Sequence, residues 1–310
     1  MRLFNHQQGL HASQLKASKW LAEACRLRSN AGTLPPTDPS TFREIVKLAQ
    51  VNSVEPVVYK LAMTDTSQYT AEELRTLKTE FERVQAQNLR RRERGCEILS
   101  SLQKAGIPFV VLKGNALADD LYQCPGYKKM NDIDLLVKRQ DLKDLYPTLL
   151  ELGLIPIGGL SREGARKQEK FSHHWPPFLT RDFQCAIGVH WSLTPPQSKI
   201  QISEDLMWNN LQLCNYDHLQ VFRLSSAMML LHLLVHLEPW KAGLKETMDI
   251  VNVAESEHFD KDQFLELLER CNALERARES CECVLGQFPE AKAAVLKAVL
   301  PNCSKSRDHQ

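Results

Sequence analysis

The chain has no apolar run long enough for a bilayer helix. Its most hydrophobic stretch, residues 227–237, is interrupted by His232 and His236 and falls well short of the ~20 residues a span requires. The opening MRLFNHQQGLHASQ contains no apolar segment of signal-peptide length, so a soluble, cytoplasmic protein with no membrane partner is expected. None of the nine cysteines forms a C-x-x-C pair, and their number is odd, which argues against a zinc ribbon and against a disulfide framework. The nearest two, Cys281 and Cys283, would lie about 200° apart on a helix and read as inert thiols. Surplus charge is lacking too: 39 Lys and Arg against 38 Asp and Glu leave +1, so nothing pulls the whole chain toward nucleic acid or anionic lipid. No internal repeat is visible. A composition of 43% hydrophobic and 25% charged residues excludes a disordered or fibrous chain, and 310 residues suit about two domains.

Apolar residues recur at helical spacing up to Gly106, broken by a Gly- and Pro-rich loop at 29–40. The pattern predicts helices at 13–27, 41–51, 54–62 and 71–104. The last starts on a capping box, with Thr70 as cap and Glu73 three residues on, and stops before Gly106. The period then changes. IPFVVL at 107–112 and DIDLLV at 132–137 read as strands, with a short helix at 115–122 between them and another at 140–152. Strands are expected at 154–157, 170–174, 178–180 and in the alternating FQCAIGVHWSL of 183–193. After Pro195 and Pro196 helices are expected at 227–237, 244–256, 261–272, 275–287 and 290–300. The division is a helical N-terminal region (1–106), an α/β core (107–200), a C-terminal helical region (201–300) and a frayed polar tail (301–310).

The chemistry concentrates between Phe109 and Val137. Side chains alternate along a strand, so Asp132 and Asp134 project to one face while Ile133, Leu135 and Val137 enter the core. Two carboxylates so placed converge on a cation. Gly114 closes one strand and opens a helix, where free backbone N–H groups suit phosphate oxygens, and Lys113 adds positive charge. Taken singly, a D-x-D at a strand edge is ordinarily a solvated pair, and a strand-Lys-Gly-helix corner is ordinarily a turn. In this order they favour a metal-nucleotide site.

LKGNALADDLYQCPGYKKMNDIDLLV resembles the signature of the uncharacterised bacterial nucleotidyltransferase family within the polymerase β-like nucleotidyltransferase superfamily. FSHHWPPF, AIGVHWSL and LLHLLVHLEPWKAGLKETMDIVNV resemble its later segments, so the likeness runs from about Phe109 to Val253. It implies an α+β fold in which a small mixed sheet is flanked by N- and C-terminal helical regions. It implies a metal-binding site for Mg2+ (or Mn2+) on Asp132 and Asp134, and transfer of a nucleoside monophosphate from a nucleoside triphosphate to a hydroxyl-type acceptor. Lys113, Gly114 and Asn115 would position the β and γ phosphates, with Lys128 supporting.

Two positions depart from the family pattern. Lys128 stands where the family has Arg, which keeps the charge and loses the bidentate fork for a phosphate or a bracing carboxylate. Gly188 stands where a third carboxylate is usual; as a glycine on the site face of its strand it leaves room for a side chain, so Gly188→Asp is expected to fit. By strand parity His190 faces the site and is the nearest candidate base, whereas Asp182 is too far along the strand to substitute. The missing acid keeps an alternative open: a nucleotide-binding protein with lost or weak transfer activity, acting as an interaction module.

Other residues carry two readings each. His232 and His236 have helical metal spacing but no evident third ligand, against a buried hydrogen-bonded role. His173 and His174 line a pocket or form a structural corner. Asp249 braces the site, or caps its helix or forms a pair. Arg90, Arg91, Arg92 and Arg94 fan around a helix, as a solvated face or as an RNA contact. The acceptor, which could be a small molecule, a protein or an RNA, has no signature in the sequence, nor has the oligomeric state.

Overall fold

The structure is a computed structural model describing residues 12–27, 38–257 and 259–301. The loop expected at 29–40 and the tail at 301–310 lie outside the described residues except for 38–40 and 301. Helices α1 (Ala12–Ala24), α2 (Pro39–Asn52) and α3 (Glu55–Ala62) lead into α4 (Ala71–Lys104), a 34-residue helix that extends about 50 Å at 1.5 Å per residue. Its start is the predicted capping box: the Thr70 hydroxyl accepts from the Glu73 amide, and the Glu73 carboxylate accepts from the Thr70 amide.

The core follows as β1 (Phe109–Val111), α5 (Lys113–Leu117) with a π-helical turn at Ala118–Tyr122, and β2 (Ile133–Val137). After these come α6 (Leu142–Glu151), β3 (Ile155–Pro156), α7 (Arg162–Gln168), β4 (Phe178–Leu179), β5 (Ala186–His190), α8 (Glu204–Trp208), β6 (Leu211–Tyr216) and β7 (Leu219–Leu224). The seven strands make one sheet in the order β3-β4-β5-β2-β1-β7-β6. β2 runs antiparallel to β1 and parallel to β5, and β7 runs parallel to β1. Among the described residues five helices follow: α9 (Ser226–His236), α10 (Leu244–Ala254), α11 (Lys261–Arg270), α12 (Leu274–Gln287) and α13 (Ala294–Val299). The mixed α+β architecture with helices at both ends is the expected one, and among the described residues no helix is long and apolar enough to cross a membrane.

Two elements differ from the sequence reading. The β6–β7 hairpin lies where no strand is assigned, because Leu213 and Phe222 sit on the exposed face and break the polar/apolar alternation, and because the turn is Asp217-His218 rather than Asn-Gly. The stretch at 170–174 is not a strand. There α7, capped by Ser161, ends in a turn, and only His174 reaches the sheet, through one antiparallel bridge to His190.

The middle of the sheet is dry. Ile133, Leu135, Leu136 and Val137 have no exposed surface, and at about 25 cal/mol per Å² such burial is the main source of stability. Helix α4 packs directly on this sheet: a Cβ built on Gly95 would fall 2.5 Å from Ile133 Cδ1 and 2.7 Å from the Tyr216 hydroxyl. The N-terminal helices also tie into the C-terminal ones. Arg26 pairs with Glu255 at 2.7 Å with both side chains buried, and the Asn252 side chain accepts from the Leu27 amide and donates to the Cys25 carbonyl.

Candidate active site

Strand β2 brings Asp134 opposite Gly188 and Leu136 opposite His190, so Asp134 and His190 project from the same face. Cys185, Ile187, Val189 and Trp191 are buried, as alternation along β5 requires. The Asp134 carboxylate is shared between two groups. The Lys113 ammonium lies 2.6 Å from Oδ2, and His190 Nε2 lies 3.1 Å from Oδ1. Burial pushes the Asp134 carboxyl up, but the His190 hydrogen bond and the Lys113 charge outweigh it and hold the group far below the usual carboxylate range. An ionised carboxylate only accepts, so His190 carries its proton on Nε2 and leaves Nδ1 as its accepting nitrogen. Burial keeps His190 below its ordinary value despite the Asp134 bond, so the ring is neutral at neutral pH.

Asp132 is different. It is half-buried, and among the described residues no hydrogen-bond donor reaches its carboxylate. Burial first, and then the charge of Asp134, raise its affinity for a proton, against Lys113, His190 and Arg91. A carboxylate without donors, beside a second one and partly withdrawn from water, is the donor set a hard divalent cation takes. The two aspartates therefore fit one such ion.

The corner between β1 and α5 holds Lys113 in place. Its backbone adopts a left-handed φ of +53°, a conformation that costs a non-glycine residue about 1 kcal/mol or more. The Leu112 amide donates to the Asp134 carbonyl at 2.9 Å, and the Asn115 side-chain amide donates to the Asp132 carbonyl. Asn115 is thus a brace between corner and strand, while a Cβ built on Gly114 would lie 3.6 Å from the Lys128 ammonium.

Lys128 forms a buried ion pair with Asp249 of α10, and the Tyr122 hydroxyl donates to the other Asp249 oxygen. Of the two readings of Asp249, pairing is the one its partners Lys128 and Tyr122 support, and the Lys128 ammonium is engaged there. The loop carrying Lys128 is clamped to α4. The Asn88 side chain donates to the Pro125 and Lys128 carbonyls at 2.7 Å each, and Gly126 admits Phe81, whose ring a Cβ would meet at 2.6 Å. Sequence reasoning did not find Asn88 or Phe81, which sit about 40 residues upstream in an otherwise polar helix.

The histidines gather at the site. The rings of His173 and His174 lie 5.9 and 5.2 Å from that of His190. His232 is buried with no partner at Nδ1 and meets the His236 ring edge-on. Arg90, Arg91, Arg92 and Arg94 of α4 disperse as the helical fan requires. Arg92 makes a bidentate pair with Asp119, Arg94 pairs with Glu97, Arg90 donates to Gln184 and Arg91 donates to Asn88.

The expectation that Gly188→Asp fits is corrected. A Cβ at Gly188 would fall on Asp134 Oδ1, well inside van der Waals contact, and 3.3 Å from Cγ. The space beside Gly188 is filled by the Asp134 carboxylate that Lys113 and His190 hold there. Asp182 accepts from the Thr180 hydroxyl and the Gln184 amide within its own turn.

Among curated proteins, none matches this chain. The model of a family described as uncharacterised nucleotidyltransferases matches residues 38–285, which spans the capped α2, the whole sheet, Lys113, both aspartates and most of the C-terminal helices, and the chain belongs to that family.

Proposed function

We propose that the chain transfers a nucleoside monophosphate from a nucleoside triphosphate to a hydroxyl-type acceptor, in a metal-dependent reaction on a core of the polymerase β-like kind. The observation that carries this reading is the Lys113–Asp134–His190 contact beside the donor-free Asp132 carboxylate. Asp132 and Asp134 would hold Mg2+ or Mn2+. Such an ion supplies charge stabilisation at the transferred phosphorus and on the departing pyrophosphate.

The chain's own residues do the rest. Lys113 leaves Asp134 Oδ2 for a phosphate oxygen of the nucleotide, at the corner formed with Gly114 and Asn115. This exchange keeps the ammonium paired in both states, so neither the empty nor the loaded site leaves a buried charge alone. His190 stays on Asp134 through Nε2–H and takes the acceptor's hydroxyl proton at Nδ1, with Asp134 stabilising the imidazolium that forms. Lys128 supports from beneath Gly114, tied to Asp249.

A second reading, nucleotide binding with little or no transfer, is favoured by one observation: where a third acid would stand, Gly188 faces Asp134 without room for a side chain. The deciding experiment incubates the protein with each α-labelled nucleoside triphosphate and Mg2+ or Mn2+ in cell extract, following label into small molecules, protein and RNA. Transfer that the Asp132→Asn, Asp134→Asn double variant abolishes supports the enzyme. Binding of a non-hydrolysable triphosphate without transfer supports the second reading. Because Lys113 occupies Asp134 in the empty site, Mn2+ alone should bind weakly and the triphosphate should tighten it at least tenfold. In Lys113→Met that dependence should shrink while nucleotide affinity falls. Tight Mn2+ binding by the wild type without nucleotide would sink the exchange.

A further inference from the structure

Where the β6–β7 turn meets α4, a second set of ligands converges that shares no residue with Asp132, Asp134 or Lys113. Cys96, in the C-terminal third of α4, is buried, and its Sγ lies 3.9 Å from Oδ2 of Asp217. His218 Nδ1 lies 2.8 Å from the same oxygen. Sγ, the Asp217 carboxylate oxygen and the His218 nitrogen all fall within 4.8 Å of one another. We propose that Cys96, Asp217 and His218 bind a zinc ion that clamps the β6–β7 turn to α4.

The donor chemistry and the spacing both point to zinc. A thiolate, an imidazole and a carboxylate form a mixed set that suits a borderline-soft d10 cation and that Mg2+ or Ca2+ does not take. Zinc bonds of about 2.3 Å to sulfur and 2.0–2.1 Å to nitrogen and oxygen, at tetrahedral angles, separate S from O by about 3.5 Å and N from O by about 3.3 Å. The separations found, 3.9 and 2.8 Å, lie within about half an ångström of these values.

The backbone and the surroundings are arranged for it. Asp217 takes a left-handed φ of +57° at the hairpin turn, a conformation Asp tolerates better than most residues, and this places Asp217 and His218 together beside the helix. The second Asp217 oxygen, Oδ1, lies 3.6 Å from Arg92 Nε, and Arg92 in turn grips Asp119. That is the outer support which orients a ligating carboxylate and leaves Oδ2 for the metal. An open cleft of about 600 Å³ gives access, and Glu93, one helical turn before Cys96, lines it as well. Glu93 or a water completes four-coordination. Zinc enters by displacing the Cys96 thiol proton into water, as thiolate ligation requires.

The test uses the full chain, stripped with a chelator and titrated with Co2+ and then Zn2+. One Co2+ should bind per chain with a sulfur-to-cobalt charge-transfer band in the near ultraviolet, which one equivalent of Zn2+ removes. Cys96→Ser should abolish the band. Asp217→Asn and His218→Gln, both at exposed turn positions, should each weaken binding at least tenfold, which keeps the test decisive should the buried Cys96 variant fail to fold. The Asp132→Asn, Asp134→Asn double variant should keep the band unchanged, so the outcome stands apart from the nucleotidyl-transfer reading. A wild-type protein without the band at equimolar Co2+, a band that survives Cys96→Ser, or an unchanged affinity in His218→Gln would each overturn the site.

Discussion

Asp134 shows how little freedom a single buried side chain has here. Its two oxygens are taken by Lys113 and His190, and the strand opposite offers Gly188, whose missing Cβ is the space the carboxylate occupies. Gly188→Ala is therefore expected to displace Asp134. Overpacking of this kind costs about 1–3 kcal/mol, and the displaced carboxylate should also lose the Lys113 pair. Urea denaturation together with binding of a non-hydrolysable nucleoside triphosphate checks it. A variant as stable as the wild type, with unchanged nucleotide affinity, would mean that Asp134 is not held where its partners place it. At this scale the aspartates, Lys113 and His190 were legible, because a D-x-D after a Lys-Gly corner and strict alternation along β5 constrain them locally. Lys113 holding Asp134 was not legible, since it depends on a left-handed backbone at a lysine, where sequence gives no reason to expect one.

Helix α4 is the element whose role is least visible in its composition. It is polar over much of its length, yet it supports the sheet through Gly95, clamps the Lys128 loop through Asn88 and Phe81, and carries Cys96. Gly95 sits mid-helix, where Ala would ordinarily be worth about 1 kcal/mol of helix propensity. Here the sign should reverse, because the added Cβ meets Ile133 Cδ1 at 2.5 Å and the Tyr216 hydroxyl at 2.7 Å. Gly95→Ala should destabilise by about 1–3 kcal/mol net of the propensity gain. Equilibrium unfolding measures it, and a stabilised variant would show that helix and sheet are looser than the close approach implies. The capping box and the length of α4 could be read from its residues because both are local signals. The β6–β7 hairpin could not, because its exposed Leu213 and Phe222 disguise the period that betrays a strand.

The whole molecule places several neutral histidines in its interior, and this has a consequence for acid stability. Burial, followed by the charges of neighbouring histidines and Lys113, pushes His173 down to about 4, and burial holds His232 well below its ordinary value. In the unfolded chain both return to about 6.5. Between those values the unfolded state binds more protons, so stability falls as pH drops from about 6.5 toward 4 and is unaffected by these groups above 6.5. Both groups therefore lower stability between pH 6.5 and 5, His173 the less for its half-exposure. His232→Leu should flatten that slope, since Nδ1 has no partner to lose. Melting temperatures at pH 5 and 7.5 compare the two, and an identical slope in the variant would remove His232 from the account.

The sequence alone determined the class of fold, the long capped helix, the strands carrying Asp134 and His190, with Asp132 just before the first of them, and the family resemblance. Each of these rests on periodicity, capping or residue order within a few turns of chain, and such signals survive without knowledge of what packs where. Tertiary structure alone decided the rest. Lys113 reaches Asp134 and Lys128 reaches Asp249 across 21 and 121 residues, Gly188 faces a carboxylate instead of a gap, and Cys96 meets the Asp217-His218 turn over 120 residues away. These contacts follow from how sheet, α4 and α10 pack, and packing is set by the sum of many weak apolar contacts that no local pattern encodes.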